Sequence, residues 1–128
     1  MSRDTTERTD ACHVVTMKAL VSSAIPKGAA VDIVADYMVD NLNAQTDFTQ
    51  GVTLEPHLSG VYECIPVVLP GPVIRVIAGS GILAGELVNG DSSTPGEWIV
   101  DADNPAGFAL EGADDGDEFD VCYVGEQL

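Results

Sequence analysis

The sequence predicts an all-β protein: a small β-barrel, β-tulip or β-clip-like body made of two quasi-repeats, preceded by an extended N-terminal arm. Three observations lead there. About 55 residues occur twice in the same order. Turn signals built from Gly, Pro, Asn and Asp recur about every ten residues, the spacing of a small barrel or sandwich. Between them lie short apolar runs rich in Val, Ile and aromatic residues.

The first dozen residues are rich in Thr, Arg, Asp and Glu and read as an arm that orders against a partner, so residues 1–16 are assigned to it and 17–128 to one β domain. The quasi-repeats span about 17–69 and 73–125. "KALVSSAIPKGAAVD" (18–32) lies over "RVIAGSGILAGELVN" (75–89) at an offset of 57, pairing Lys18 with Arg75 and Leu20 with Ile77 and repeating Ser23/Ser80, Ile25/Ile82, Gly28/Gly85 and Val31/Val88. "GVTLEPHLSG" (51–60) lies over "GFALEGADDG" (107–116) at an offset of 56, repeating Gly51/Gly107, Leu54/Leu110, Glu55/Glu111 and Gly60/Gly116. These six glycines are read as fold-defining turns, because glycine kept at matching places suggests matching backbone needs such as positive φ. Two copies are too few for a solenoid, so the halves are expected to pair around one pseudo-twofold core.

The repeat also settles an ambiguity. Alone, "AAVDIVADYMVDNLNA" spaces Asp32, Asp36, Asp40 and Asn43 as an amphipathic helix would. Its counterpart is punctuated by Asn89-Gly90, Pro95 and Gly96, so residues 30–41 are predicted as two short strands. "EWIVD", "GVYECIPVVLPG" and "FDVCYVG" complete the strand set, the last with Val121 and Tyr123 on one face and Asp120 and Cys122 on the other. Prolines 66, 70 and 72 demote their neighbourhood to an edge or a bulge.

Charge bounds the partners. The chain of 128 residues carries 21 acids against five Lys and Arg, a net charge of −16. Such a surface repels phosphates, which disfavours nucleic acid. Molar salt shortens the Debye length to ~3 Å and screens the self-repulsion, so a halophilic origin explains the balance, with a merely acidic protein as the alternative. Four of the five basic residues, Arg3, Arg8, Lys18 and Lys27, fall within residues 1–27. No apolar stretch approaches the ~20 residues of a membrane helix, and the polar N-terminus lacks a secretory pattern, so no membrane partner is expected. Cys12, Cys64 and Cys122 are odd in number and far apart, which suits buried thiols better than a disulfide framework or metal site.

Catalytic and cofactor motifs fail in turn. Gly79, Gly81 and Ala84 follow an apolar run in the order Gly-x-Gly-x-x-Ala, but Gly85 and Asn89-Gly90 leave no room for the helix whose N-terminus would hold a pyrophosphate. Ser80 lacks a nucleophile elbow, and His13 and His57 lie in no recognisable Ser or Cys arrangement. Cys12-His13 is at most half a metal site. Asp101 and Asp103 start a calcium-loop pattern that Pro105 and Ala106 break, which leaves Asp114, Asp115 and Asp117 as a solvated acidic turn or a weak cation site. No enzyme activity and no cofactor are therefore expected.

The second half, "VIRVIAGSGILAGELVNGD" followed by "GEWIVDADNPAGFALEGADDGDEFDVCYVG", resembles the small capsid decoration proteins of tailed viruses. The matching elements are Ile82, Gly85, Glu86 and Val88; "GEWIV"; Gly107, Ala109 and Leu110; Gly116 and Asp117; and "FDVCYV". The resemblance, with the acidity, implies a non-enzymatic protein of a virus of a halophilic archaeon, assembled in the host cytoplasm and placed on the outer surface of the virion. There it would stabilise the head as a homotrimer bound to the major capsid protein. Arg3, Arg8, His13, Lys18 and Lys27, in the less acidic N-terminal part, are the candidate capsid-interface residues. A stand-alone β-clip-type binding module and another virion component, such as a turret or tail protein, are the alternatives.

Overall fold

The computed structural model describes residues 13–125. They form ten strands: β1 (Val14–Ala19), β2 (Ala30–Ala35), β3 (Met38–Asn41), β4 (Gly51–Thr53), β5 (Cys64–Val68), β6 (Val73–Ala78), β7 (Leu87–Gly90), β8 (Glu97–Val100), β9 (Gly107–Ala109) and β10 (Glu118–Tyr123). No helix occurs among the described residues. Residues 30–41 are the two strands that the repeat predicts.

The chain closes two five-stranded barrels, in strand order β1-β3-β2-β4-β5 and β10-β6-β8-β7-β9. Each first strand pairs in parallel with the third and antiparallel with the fifth, so the barrels repeat one topology. Strand alternation fills each interior: Met17 and Ala19 point inward from β1, as Ile74, Val76 and Ala78 do from β6. On β10, Phe119, Val121 and Tyr123 are buried while Asp120 and Cys122 are half-buried on the opposite face.

The duplication extends to the turns. Ile25 bridges His57 as Ile82 bridges Ala113. Gly28, Gly60, Gly85 and Gly116 all have φ between 78° and 91°, where a β-carbon is strained. Gly51 and Gly107 differ from the turn assignment. They open β4 and β9, and a β-carbon there would run into Val67 and into the Cys122 carbonyl, so close strand approach is what demands glycine.

Three other expectations need correction. Strand β1 begins at Val14, so residues 14–16 belong to the barrel and not to the arm. Pro66 lies inside β5, between β1 and β4. It is tolerated because its polar edge meets Leu54, one residue beyond the end of β4, through its carbonyl alone. The third concerns register: β1 pairs Ala19 with Val39 where β6 pairs Ala78 with Trp98, so Thr16, not Lys18, corresponds to Arg75. The first barrel has residues 20–24 where the second has 79–81, and residues 61–63 where the second has only Asp117.

The barrels do not pair around a twofold. Ala30, Leu42, Val52 and Val68 of the first join the hydrophobic core of the second, alongside Val88, Trp98 and Tyr123. The first barrel's own interior is a separate cluster around Val31, Val39, Ile65 and Val67. Pro26 packs on Gly96, and the Trp98 Nε1–H donates to the Gly28 carbonyl at 2.8 Å. A twofold would place Tyr37 against Leu83, yet these are 67% and 71% exposed. The junction is head to tail, and four residues, 69–72, link the barrels.

Candidate protein-interaction surface

The start of β1, the Pro26–Gly28 turn and the start of β6 enclose a cleft of about 440 Å³ where the barrels meet. His13, Lys27 and Arg75 line it together with Val14, Val68 and Val73. His13 is fixed from both sides: its carbonyl accepts from Leu69 N–H at 2.6 Å, and its Nδ1 lies 3.3 Å from the Pro70 carbonyl. Arg75 projects from β6 onto three carboxylates, Asp120 at 3.0 Å, Glu111 at 3.1 Å and Glu118 at 3.3 Å. Its charge is therefore committed to its own barrel, and the exposed Lys27 is the basic group that the cleft presents outward.

Of the candidate residues, His13 and Lys27 thus meet in one cleft. Lys18 stands apart on β1 opposite Cys64, beside a second groove of about 410 Å³ lined by Val21, Met38 and Tyr62. Arg3 and Arg8 lie outside the described residues. Sequence reading missed Arg75 as a cleft residue, because the offset that paired it with Lys18 hid its neighbours. It also missed Leu58 and Tyr62, which are 70% and 87% exposed. Tyr62 sits in the residues that the first barrel has in excess, which a gapped alignment of the repeats would have singled out.

His57 is buried beside that groove, with Nδ1 2.7 Å from the Ser23 carbonyl and Nε2 2.7 Å from the Val61 carbonyl. Both partners are backbone carbonyls, which accept, so the ring lies between two acceptors. It ties the two extended loops of the first barrel together, which is a structural task. Burial raises the Asp32 carboxyl above its ordinary value of 3.8; Asp47 and Asp40 add to this while the Asn43 N–H opposes it. Burial likewise pushes the Tyr123 hydroxyl well above its ordinary range, and it donates to the Thr49 carbonyl across the junction at 3.1 Å.

Gly79, Ser80 and Gly81 lead into the Ile82 bridge and the Leu83–Gly85 turn, so their N–H groups crown no helix. Among the described residues, no three His, Cys, Asp or Glu side chains converge as a metal site. What the surface offers is contact area: shallow apolar clefts edged by charge, between rigid strands.

Fold and surface together define a tandem of two five-stranded barrels with a cleft where they meet. No family model matches the chain, and none of the curated proteins matches it by sequence. Among solved structures, the chain is similar to the head fiber gp8.5 N base of bacteriophage phi29, with 20% identity and a TM-score of 0.68. The match covers 86% of this chain and 93% of that one. At this identity the likeness establishes a shared fold, and its coverage means that both barrels share it.

Proposed function

We propose that the chain is a non-enzymatic structural protein of a tailed-virus particle. It sits on the outer capsid surface as a homotrimer, bound to the major capsid protein, and stabilises the head. The observation that supports this reading is the extent of the likeness to a phage head fiber base: it takes in the tandem of two barrels, not one generic barrel. The net charge of −16 suits an exterior bathed in the brine of a halophilic host, where screening within ~3 Å allows acidic neighbours to coexist. Residues 1–12, with Arg3 and Arg8, lead into β1 beside the cleft that holds His13 and Lys27, and add a strand to an edge of the capsid protein.

The test is cosedimentation of purified protein with expanded heads in molar KCl. Full-length protein is expected to bind, whereas deletion of residues 1–12 is expected to abolish binding and leave the barrels' circular dichroism and melting unchanged. Failure of the full-length protein to bind heads overturns the capsid role. Equal occupancy by the truncated protein overturns only the role of the arm.

A further inference from the structure

The head-to-tail junction uses two surfaces, and the duplication supplies a second copy of each. In the first barrel the used surface is a cross-strand row, Ala30 beside Val52 beside Val68, which is buried against the second barrel. The same row in the second barrel is Leu87 beside Phe108 beside Cys122. It is equally apolar but only half-buried, and Leu83, the counterpart of Pro26, is exposed next to it. In the second barrel the used surface is the β7–β8 hairpin, where Gly90 meets Ala30, Gly96 meets Pro26 and Trp98 meets Gly28. The same hairpin in the first barrel is β2–β3, whose Ile33, Val34 and Tyr37 are 42%, 51% and 67% exposed. They line an open groove of about 530 Å³.

Each chain therefore carries one satisfied joint and the two unmatched halves of another, at opposite ends. A surface that contacts a different surface of its partner propagates, and closes into a ring when the rotation allows. We propose that copies of this chain join head to tail, the β2–β3 hairpin of one seating on the Leu83, Leu87, Phe108 and Cys122 face of the next. A second copy is the occupant because this joint repeats, strand for strand, the one already made inside the chain. The inference rests on the trimer proposed above for copy number, which turns three chains into a ring of six barrels.

The second joint is not identical to the first. Larger side chains, Ile33 and Leu87, replace the Gly90 and Ala30 contact. The loop that donates Gln45 and Thr49 to the internal joint spans residues 42–50 between β3 and β4, and its counterpart, 101–106, is three residues shorter. Asp32, Asp36 and Asp47 flank the hairpin, and Glu86 and Glu111 flank the row, so the joint closes in molar salt and opens as salt is removed.

The experiment is analytical ultracentrifugation in molar KCl of the full chain, Tyr37→Asp and Leu83→Asp, with near-ultraviolet circular dichroism to verify the fold. Both side chains are mostly solvent-exposed, so both variants are expected to stay folded. Wild type is expected as a trimer and each variant as a monomer, a mass change of about threefold. An equimolar mixture of the two variants is expected to form a one-to-one dimer, since together they hold one intact joint and cannot close. A trimeric wild type whose variants are also trimeric, or a mixture that stays monomeric, overturns the joint and leaves the trimer standing. A monomeric wild type in molar KCl overturns both.

Discussion

The two barrels share five strand positions and one ladder pattern, yet they are stabilised differently. The second is built around Trp98 and Tyr123, fully buried and edge to face with ring centroids 6.4 Å apart, and it borrows four apolar residues from its neighbour. The first has an all-aliphatic interior around Val31, Val39, Ile65 and Val67, and its polar anchor is His57, where the second barrel has Ala113. Its hairpin turns in two residues, Asp36-Tyr37, with a bulge at Val34 and a strained φ of 53° at Tyr37. The second barrel spends residues 91–96 on the same connection. Duplication kept the ladders and released the loops, and the loops are where the barrels differ in what they touch.

The largest effect should come from Trp98, which serves both the second core and the junction. Trp98→Ala is expected to cost about 3–5 kcal/mol, whereas Val39→Ala at the equivalent position of the first barrel is expected to cost about 2 kcal/mol. Denaturant unfolding in molar KCl measures both, and equal losses would erase the asymmetry between the barrels. Next in size is His57→Ala, which strips the Ser23 and Val61 carbonyls of their partner and should cost about 2–3 kcal/mol. Hydrogen exchange should show the loosening confined to residues 20–24 and 58–63, and protection lost evenly across both barrels would contradict it.

The smallest effect concerns Asp32, whose counterpart in the second barrel is Asn89. Because burial raises the Asp32 carboxyl, the fold favours its protonated form. That contribution is complete below the ordinary value of 3.8 and is lost as pH rises through the raised value. Asp32→Asn should therefore raise the melting temperature slightly at neutral pH, more at low salt than at high, and leave it unchanged in acid below 3.8. A loss of stability at neutral pH would show that the charge is needed there.

Much of the fold was legible in the sequence. Positive-φ turns leave a glycine mark, so Gly28/Gly85 and Gly60/Gly116 align the copies at the places where the backbone repeats. The Asn89-Gly90 and Pro95-Gly96 signals excluded a helix in the second copy and, through the repeat, in the first. Strand register was not legible. Alternating Val and Ile residues fit a neighbour almost equally well at several offsets, and the two extra residues near Leu20 slid Lys18 onto Arg75. The junction was hidden for a different reason: a row such as Ala30, Val52 and Val68 is spread over three strands and has no local pattern. The candidate surface is therefore half visible in the sequence: His13 and Lys27 stand out in the less acidic N-terminal part, whereas the places of Arg75, Tyr37 and Tyr62 emerge only when the chain is folded.

The short connection between the barrels has a kinetic meaning. Two of its four residues, Pro70 and Pro72, have fixed φ, and Gly71 fits against the His13 ring, so the second barrel is delivered to the first already oriented. A joint made through so short and stiff a tether forms at an effective concentration in the millimolar range or above, whereas the same chemistry between free chains must wait for encounters in solution. The pairing of the two barrels is therefore completed within one chain and is independent of its concentration.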